Sequence, residues 1–192
     1  MFTIGCHLSS TKGNLDMVRT AEKIGANTFA FFTRNPRGSK AKPLDVLDCQ
    51  RAMERLEQLQ FGKLVAHGSY TMNLCTGDPE ARAFAAGILA EDLERMANLP
   101  GQYYNVHPGS HVGQGSEAGI DYIAQALRAA MAPDYPVTVL LETMAGKALW
   151  WYLVRAIAVR CAMRCLLHLR PICLMHSPLH STLHCATLRL HP

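Results

Sequence analysis

Residues 1–147 alternate short β-type runs with amphipathic helical ones in the order βαβαβαβαβ, and this alternation restricts the fold more tightly than any other feature. Strands are predicted at Phe2–His7, Thr28–Phe32, Leu64–His67, Tyr103–His107 and Val137–Glu142, with one helical stretch between each pair. Such strands pair in parallel, because the intervening helix must carry the chain back across the sheet. Thr28–Phe32 is apolar on both faces, as strands covered on each side are. Inward helix faces are expected at Met17, Val18, Ala21 and Ile24; at Cys49, Met53, Leu56 and Leu59; at Ala85, Leu89, Leu93 and Met96; and at Ile120, Ile123, Ala124, Leu127 and Ala130. Gly25 falls where the first helix should stop, a position that tolerates positive φ. Asp78-Pro79-Glu80 combines an N-cap, a first-turn proline and a favourable charge, and Ser116 is the expected cap of the fourth helix. Glu91 and Arg95 are expected to form an exposed i,i+4 pair.

Four of the five strands end in a residue with metal or proton chemistry: His7, His67, His107 and Glu142. In a parallel sheet the C-terminal ends share one rim, with neighbouring strands about 4.8 Å apart. Side chains from successive strand ends can therefore converge on one cation, and two neutral imidazoles with a carboxylate suit zinc. Taken singly, a histidine at a strand end is more often hydrogen-bonded than metal-bound. By the same standard Arg37 and Lys40 read as solvated loop charges, and Tyr70 as a half-buried aromatic on the rim.

Local sequence around these positions is more specific. His67-Gly68-Ser69-Tyr70-Thr71-Met72-Asn73-Leu74, Asn105-Val106-His107-Pro108-Gly109-Ser110-His111 and Leu141-Glu142-Thr143-Met144-Ala145-Gly146-Lys147 resemble motifs of the endonuclease IV family. Ile4-Gly5-Cys6-His7-Leu8-Ser9 and Arg34-Asn35-Pro36-Arg37-Gly38 resemble its first strand and second loop. The resemblance implies an α/β fold, an incomplete (β/α)8 TIM barrel of the xylose isomerase-like kind with about five of its eight strands. It implies a zinc-dependent endonuclease of base-excision repair that cuts the phosphodiester bond 5′ to an abasic site in double-stranded DNA. His67, His107 and Glu142 match zinc ligands, with Glu142 bridging two metals of a three-zinc cluster and so carrying a catalytic role. Arg37 and Tyr70 match side chains that contact DNA around a nucleotide held out of the stack. Thr71 stands where an apolar wedge is often found. His7 and His111 are expected to hydrogen-bond around the ligands rather than to bind metal.

The resemblance ends at Gly146-Lys147, and composition changes at the same point. All 15 acidic residues and 14 of the 19 basic ones lie in 1–147. Residues 148–192 contain no Asp, Glu, Lys or Gly, yet hold five Arg, five of nine His, four of seven Cys and both Trp. The overall charge of +4 thus belongs chiefly to the tail, and is no argument for nucleic acid or membrane binding. The family's later motifs, among them Asp-Thr-Cys-His and Asp-Arg-His, are missing from 148–192. At most one of three zinc sites therefore has its ligands in this chain, and the expectation is an inactive, truncated enzyme. Open sheet edges are expected where the missing strands would pair. A helix to about Leu169 is conceivable in the tail, and its Cys and His spacings match no zinc module.

Two other readings stay open: a metal-dependent sugar isomerase or epimerase on the same barrel type, and a non-catalytic fragment that self-associates or binds DNA weakly. Neither a secretory signal nor a membrane span is evident, seven cysteines without an export signal suit a reducing cytoplasm, and no protein partner is implied. Two segments result: 1–147, the N-terminal part of the barrel, and 148–192, which we read as out-of-frame translation. Reading the coding DNA in the other two frames beyond codon 147 tests this. One frame is expected to encode an Asp-Thr-Cys-His-like motif, and its absence from both overturns the out-of-frame reading.

Overall fold

The computed structural model describes residues 2–131 and 135–142, and the backbone of 185–188. Five parallel strands follow in sheet order: β1 (Gly5–Leu8), β2 (Thr28–Phe32), β3 (Val65–His67), β4 (Tyr103–Val106) and β5 (Thr138–Glu142). Helices α1 (Asn14–Lys23), α2 (Val46–Gln58), α3 (Pro79–Met96) and α4 (Ser116–Ala130) make the crossovers. This is the expected βα alternation, an incomplete TIM barrel of five parallel strands. A sixth strand, β6 (Cys185–Leu188), pairs antiparallel with β5, Val139 opposite Leu188 and Glu142 opposite Cys185. The expected open edge at β5 is thus covered: an antiparallel neighbour satisfies a strand's ladder groups as well as a parallel one. The conceivable helix to Leu169 lies outside the described residues, as do Gly146 and Lys147.

Alternation along each strand sorts the side chains into two layers. Phe29, Phe31, Ala66, Tyr104, Val106, Val139 and Leu141 point outward and pack with Met17, Val18 and Ala21 of α1, Cys49, Ala52 and Leu56 of α2, Leu89, Leu93 and Met96 of α3, and Ile120, Ile123 and Leu127 of α4. Ala30, Val65 and Leu140 form a separate inner cluster with Tyr103 against it. Among the described residues no helix is long and apolar enough to cross a membrane, and Cys6 and Cys49 are in no disulfide.

Local chemistry explains most element boundaries. Asp78 caps α3 through the backbone N–H groups of Glu80 and Ala81, with Pro79 in the first turn as expected. Gly25 follows α1 at φ 73°. The first strand begins at Gly5 rather than Phe2, because Ile4 donates to Asn27 Oδ1 and accepts from Asn27 N, outside the ladder. Ser116 is the first residue of α4 rather than its cap, which is Gly115 at φ 96°. Ile24 lies one residue past α1 and is exposed, so it does not join the inward face.

Glu91 turns toward Arg34, at 3.2 Å, and so belongs to a larger network rather than to a surface pair with Arg95. At its centre Asp92 of α3 is fully buried. Its carboxylate accepts from Arg34 Nε (2.9 Å) and Nη2 (2.7 Å), Thr33 Oγ1 (2.8 Å) and the Tyr104 hydroxyl (2.8 Å). Burial pushes the Tyr104 phenol well above its ordinary range, and the negative charge of Asp92 adds to this, so Tyr104 remains a donor. A buried charge is tolerable only when so paired. Asp92→Ala strands Arg34 and is expected to cost about 3–5 kcal/mol in urea unfolding. Tyr104→Phe removes one bond to a charged group and should cost about 1.5–3 kcal/mol. An Asp92→Ala chain within about 1 kcal/mol of wild type would contradict the network's role.

Candidate metal centre on the sheet rim

Register brings three of the sequence-predicted residues together. His67 ends β3, Glu142 ends β5, and His107 directly follows β4. Val106 pairs with Leu141, so one further step along the ladder sets His107 opposite Glu142. All three lie on the inner face, because they keep the parity of Val65, Tyr103 and Leu140 along their strands. Glu142 Oε2 is 2.8 Å from His67 Nε2 and 3.1 Å from His107 Nε2, and the side chains are only 14–21% exposed. The three donor atoms all lie within 4.8 Å of one another.

The donor set fits a cation. His67 Nδ1 lies 2.7 Å from the Gly68 carbonyl, an acceptor, so that nitrogen carries the proton. Nε2 then faces a carboxylate, another acceptor, and is satisfied either by a second proton or by a cation in the proton's place. Neighbouring ligand atoms on tetrahedral zinc lie about 3.4 Å apart, given bonds of about 2.0–2.1 Å. An opening of a few tenths of an ångström from the observed 2.8 and 3.1 Å would reach that spacing. Burial favours the protonated Glu142 carboxyl, but the imidazoles of His107 and His67 outweigh it and hold the group well below the usual carboxylate range. The group is therefore an anion, ready to act as a ligand.

Tyr70 stands beside this cluster, its ring centroid 5.5 Å from that of His67 and 5.4 Å from that of His107, with half its surface exposed. Arg37 is exposed on the loop after β2, and backbone ties connect that loop to the site. Tyr70 N donates to the Pro36 carbonyl at 3.0 Å, and Ser69 Oγ lies 3.1 Å from the carbonyls of both Pro36 and Gly38. Thr71 is exposed, its hydroxyl 2.9 Å from Ser69 Oγ. His7 packs on Phe32 with ring centroids 4.6 Å apart, and exposed His111 accepts from Gly113 N within its own loop. Asn73 fastens the loops after β3 and β4 through Ser110, and Gly109 is required there: at φ 88°, a Cβ would lie 2.0 Å from Asn73 Oδ1. A groove of about 920 Å³ runs between the loops after β1 and β2, lined in part by Ser9, Thr11, Lys12, Lys40 and Lys42.

Sequence reasoning passed over Asn105, Ser69 and Asp92. Asn105 could have been found by parity, two residues before His107 on the same face. Asp92 could have been found as the acidic residue four places after Ile88 on an otherwise apolar stripe. Ser69 carries no sequence signal beyond its motif.

Parallel strands, outer helices and a His-His-Glu cluster able to hold a cation on the C-terminal rim define the first part of a β/α barrel. The chain belongs to the xylose isomerase-like TIM barrel family, whose sequence profile matches residues 18–157. It is 56% identical over 144 residues to a probable endonuclease 4 of Akkermansia muciniphila, covering 75% of this chain and 52% of that protein. Crystalline endonuclease IV from Thermus thermophilus superposes with a TM-score of 0.62 at 32% identity, over 77% of this chain and 54% of the other. D-psicose 3-epimerase superposes at 0.52 with 12% identity, covering 72% of this chain and 51% of the other, a likeness of fold alone. The chain spans about half the length of the relatives it matches.

Proposed function

We propose that residues 1–147 are the N-terminal part of a zinc-dependent endonuclease that cuts DNA 5′ to abasic sites, a base-excision repair enzyme of the cytoplasm. The observation that carries this reading is the His67–His107–Glu142 cluster, donor atoms within 4.8 Å, on a chain 56% identical to a probable endonuclease 4. His67, His107 and Glu142 would hold the metal, which when bound supplies Lewis-acid chemistry at a phosphodiester. Glu142 contributes an anionic ligand and the two imidazoles neutral ones. Tyr70, exposed above the imidazoles, offers an aromatic face to a sugar or base displaced from the stack. Arg37 offers a cation to the duplex, and Lys12, Lys40 and Lys42 along the neighbouring groove offer contacts to its phosphates.

Substrate binding and turnover separate in this chain. Residues 148–192 contain no carboxylate side chain, so they add no acidic ligand for further metals. We assign them to out-of-frame translation, and assign to the 192-residue chain recognition of damaged DNA without incision. The test is duplex DNA carrying one abasic-site analogue, offered to the purified chain with zinc. Binding at least several-fold tighter than to intact duplex, with no cut strand, is expected. Equal affinity for both duplexes overturns the DNA reading. Incision lost in Glu142→Ala would keep the substrate and overturn the inactivity. Turnover of a ketose would instead establish the sugar isomerase or epimerase reading.

A further inference from the structure

Beneath the cluster lies a side chain with no role so far. Asn105 of β4 is 1% exposed, paired in register with His67 on one side and Leu140 on the other. Its neighbours on the inner layer are Val65, Tyr103 and Leu140, a setting in which a carboxamide is out of place unless its polar atoms are used. Its Nδ2 donates to Glu142 Oε2 at 2.5 Å, the same oxygen that faces both imidazoles. A donor to that oxygen stabilises the anion and opposes rotation of the carboxylate about its terminal bond. The carboxylate is thus held from below by an uncharged amide.

We propose that Asn105 is a positioning residue of the metal centre, whose amide N–H fixes the Glu142 carboxylate in the orientation that faces His67 and His107. This rests on the reading of the cluster as a metal site, and it concerns affinity rather than turnover. Asn105 sets how well the site is organised before the cation arrives; without it, Glu142 must be ordered at the expense of binding.

The test is zinc affinity of the full chain, measured by competition with a chromophoric chelator, with circular dichroism as a check on folding. Asn105→Ala is expected to weaken zinc binding about 10–100-fold, the range found for partners that orient ligands. Asn105→Ser, polar but too short to reach Oε2, should weaken it similarly and serves if the alanine variant does not fold. In a Glu142→Ala background the same substitutions should change affinity by less than about 2-fold, because Asn105 acts through Glu142. Unchanged affinity in the single variants, or an equal loss in both backgrounds, overturns the role of Asn105 and leaves the metal site standing. A wild-type chain that binds no zinc overturns both.

Discussion

Hydrogen-bond register between β3, β4 and β5 places every donor of the cluster, and the rest of the site depends on it. Residues on one strand face alternate sides, so His67, His107 and Glu142 share the inner face only while Ala66 pairs with Tyr104 and Val106 with Leu141. A slip of one residue in either pair would send a ligand into the outer helix layer. The spacing of the donors is set by the sheet too, since strands about 4.8 Å apart bring side chains at adjacent ends within reach of one ion. Asn105 obeys the same parity one layer below. The cluster is therefore built at the ends of paired strands, and the loops add exposed groups around it.

Those loops are themselves held by polar groups buried beneath them. Asp92 joins α3 to the end of β2 through Arg34 and Thr33 and to β4 through Tyr104. Arg34 Nη1 donates to the Ser39 carbonyl at 2.5 Å, so the loop bearing Arg37 is held from inside. Ser69 and Tyr70 hold it from the side, two and three residues beyond His67. The Arg37 loop is thus hydrogen-bonded to residues two and three positions after His67.

Much of this was legible in the residues. Period-3.6 and period-2 patterns located all four helices and five strands, and strand ends marked His67, His107 and Glu142. The departures have specific causes. Ile4 and Asn27 bond to each other ahead of β1, a pairing across 23 positions that no local pattern announces. Gly115 took the cap position because its positive φ turns the chain into α4. Glu91 pairs with Arg34 rather than with Arg95, four places on, because the fold brings Arg34 beside it from 57 residues earlier, which helix spacing alone does not announce. The antiparallel β6 was not foreseen: its backbone pairing with β5 joins Glu142 to Cys185, 43 positions apart, and no local pattern announces a register of that span.

Residues 185–188 add an antiparallel strand beside β5, and the five parallel strands carry the cluster. Glu142 sits at the last pairing of β5 with β6, next to the only described strand drawn from 148–192. That one cation is held jointly by three successive strands is the central claim. Anomalous scattering at the zinc edge, from crystals of the 192-residue chain grown with zinc, tests it most directly. A single strong peak within about 2.2 Å of His67 Nε2, His107 Nε2 and a Glu142 oxygen is the predicted result. Zinc bound elsewhere with the cluster empty would contradict it.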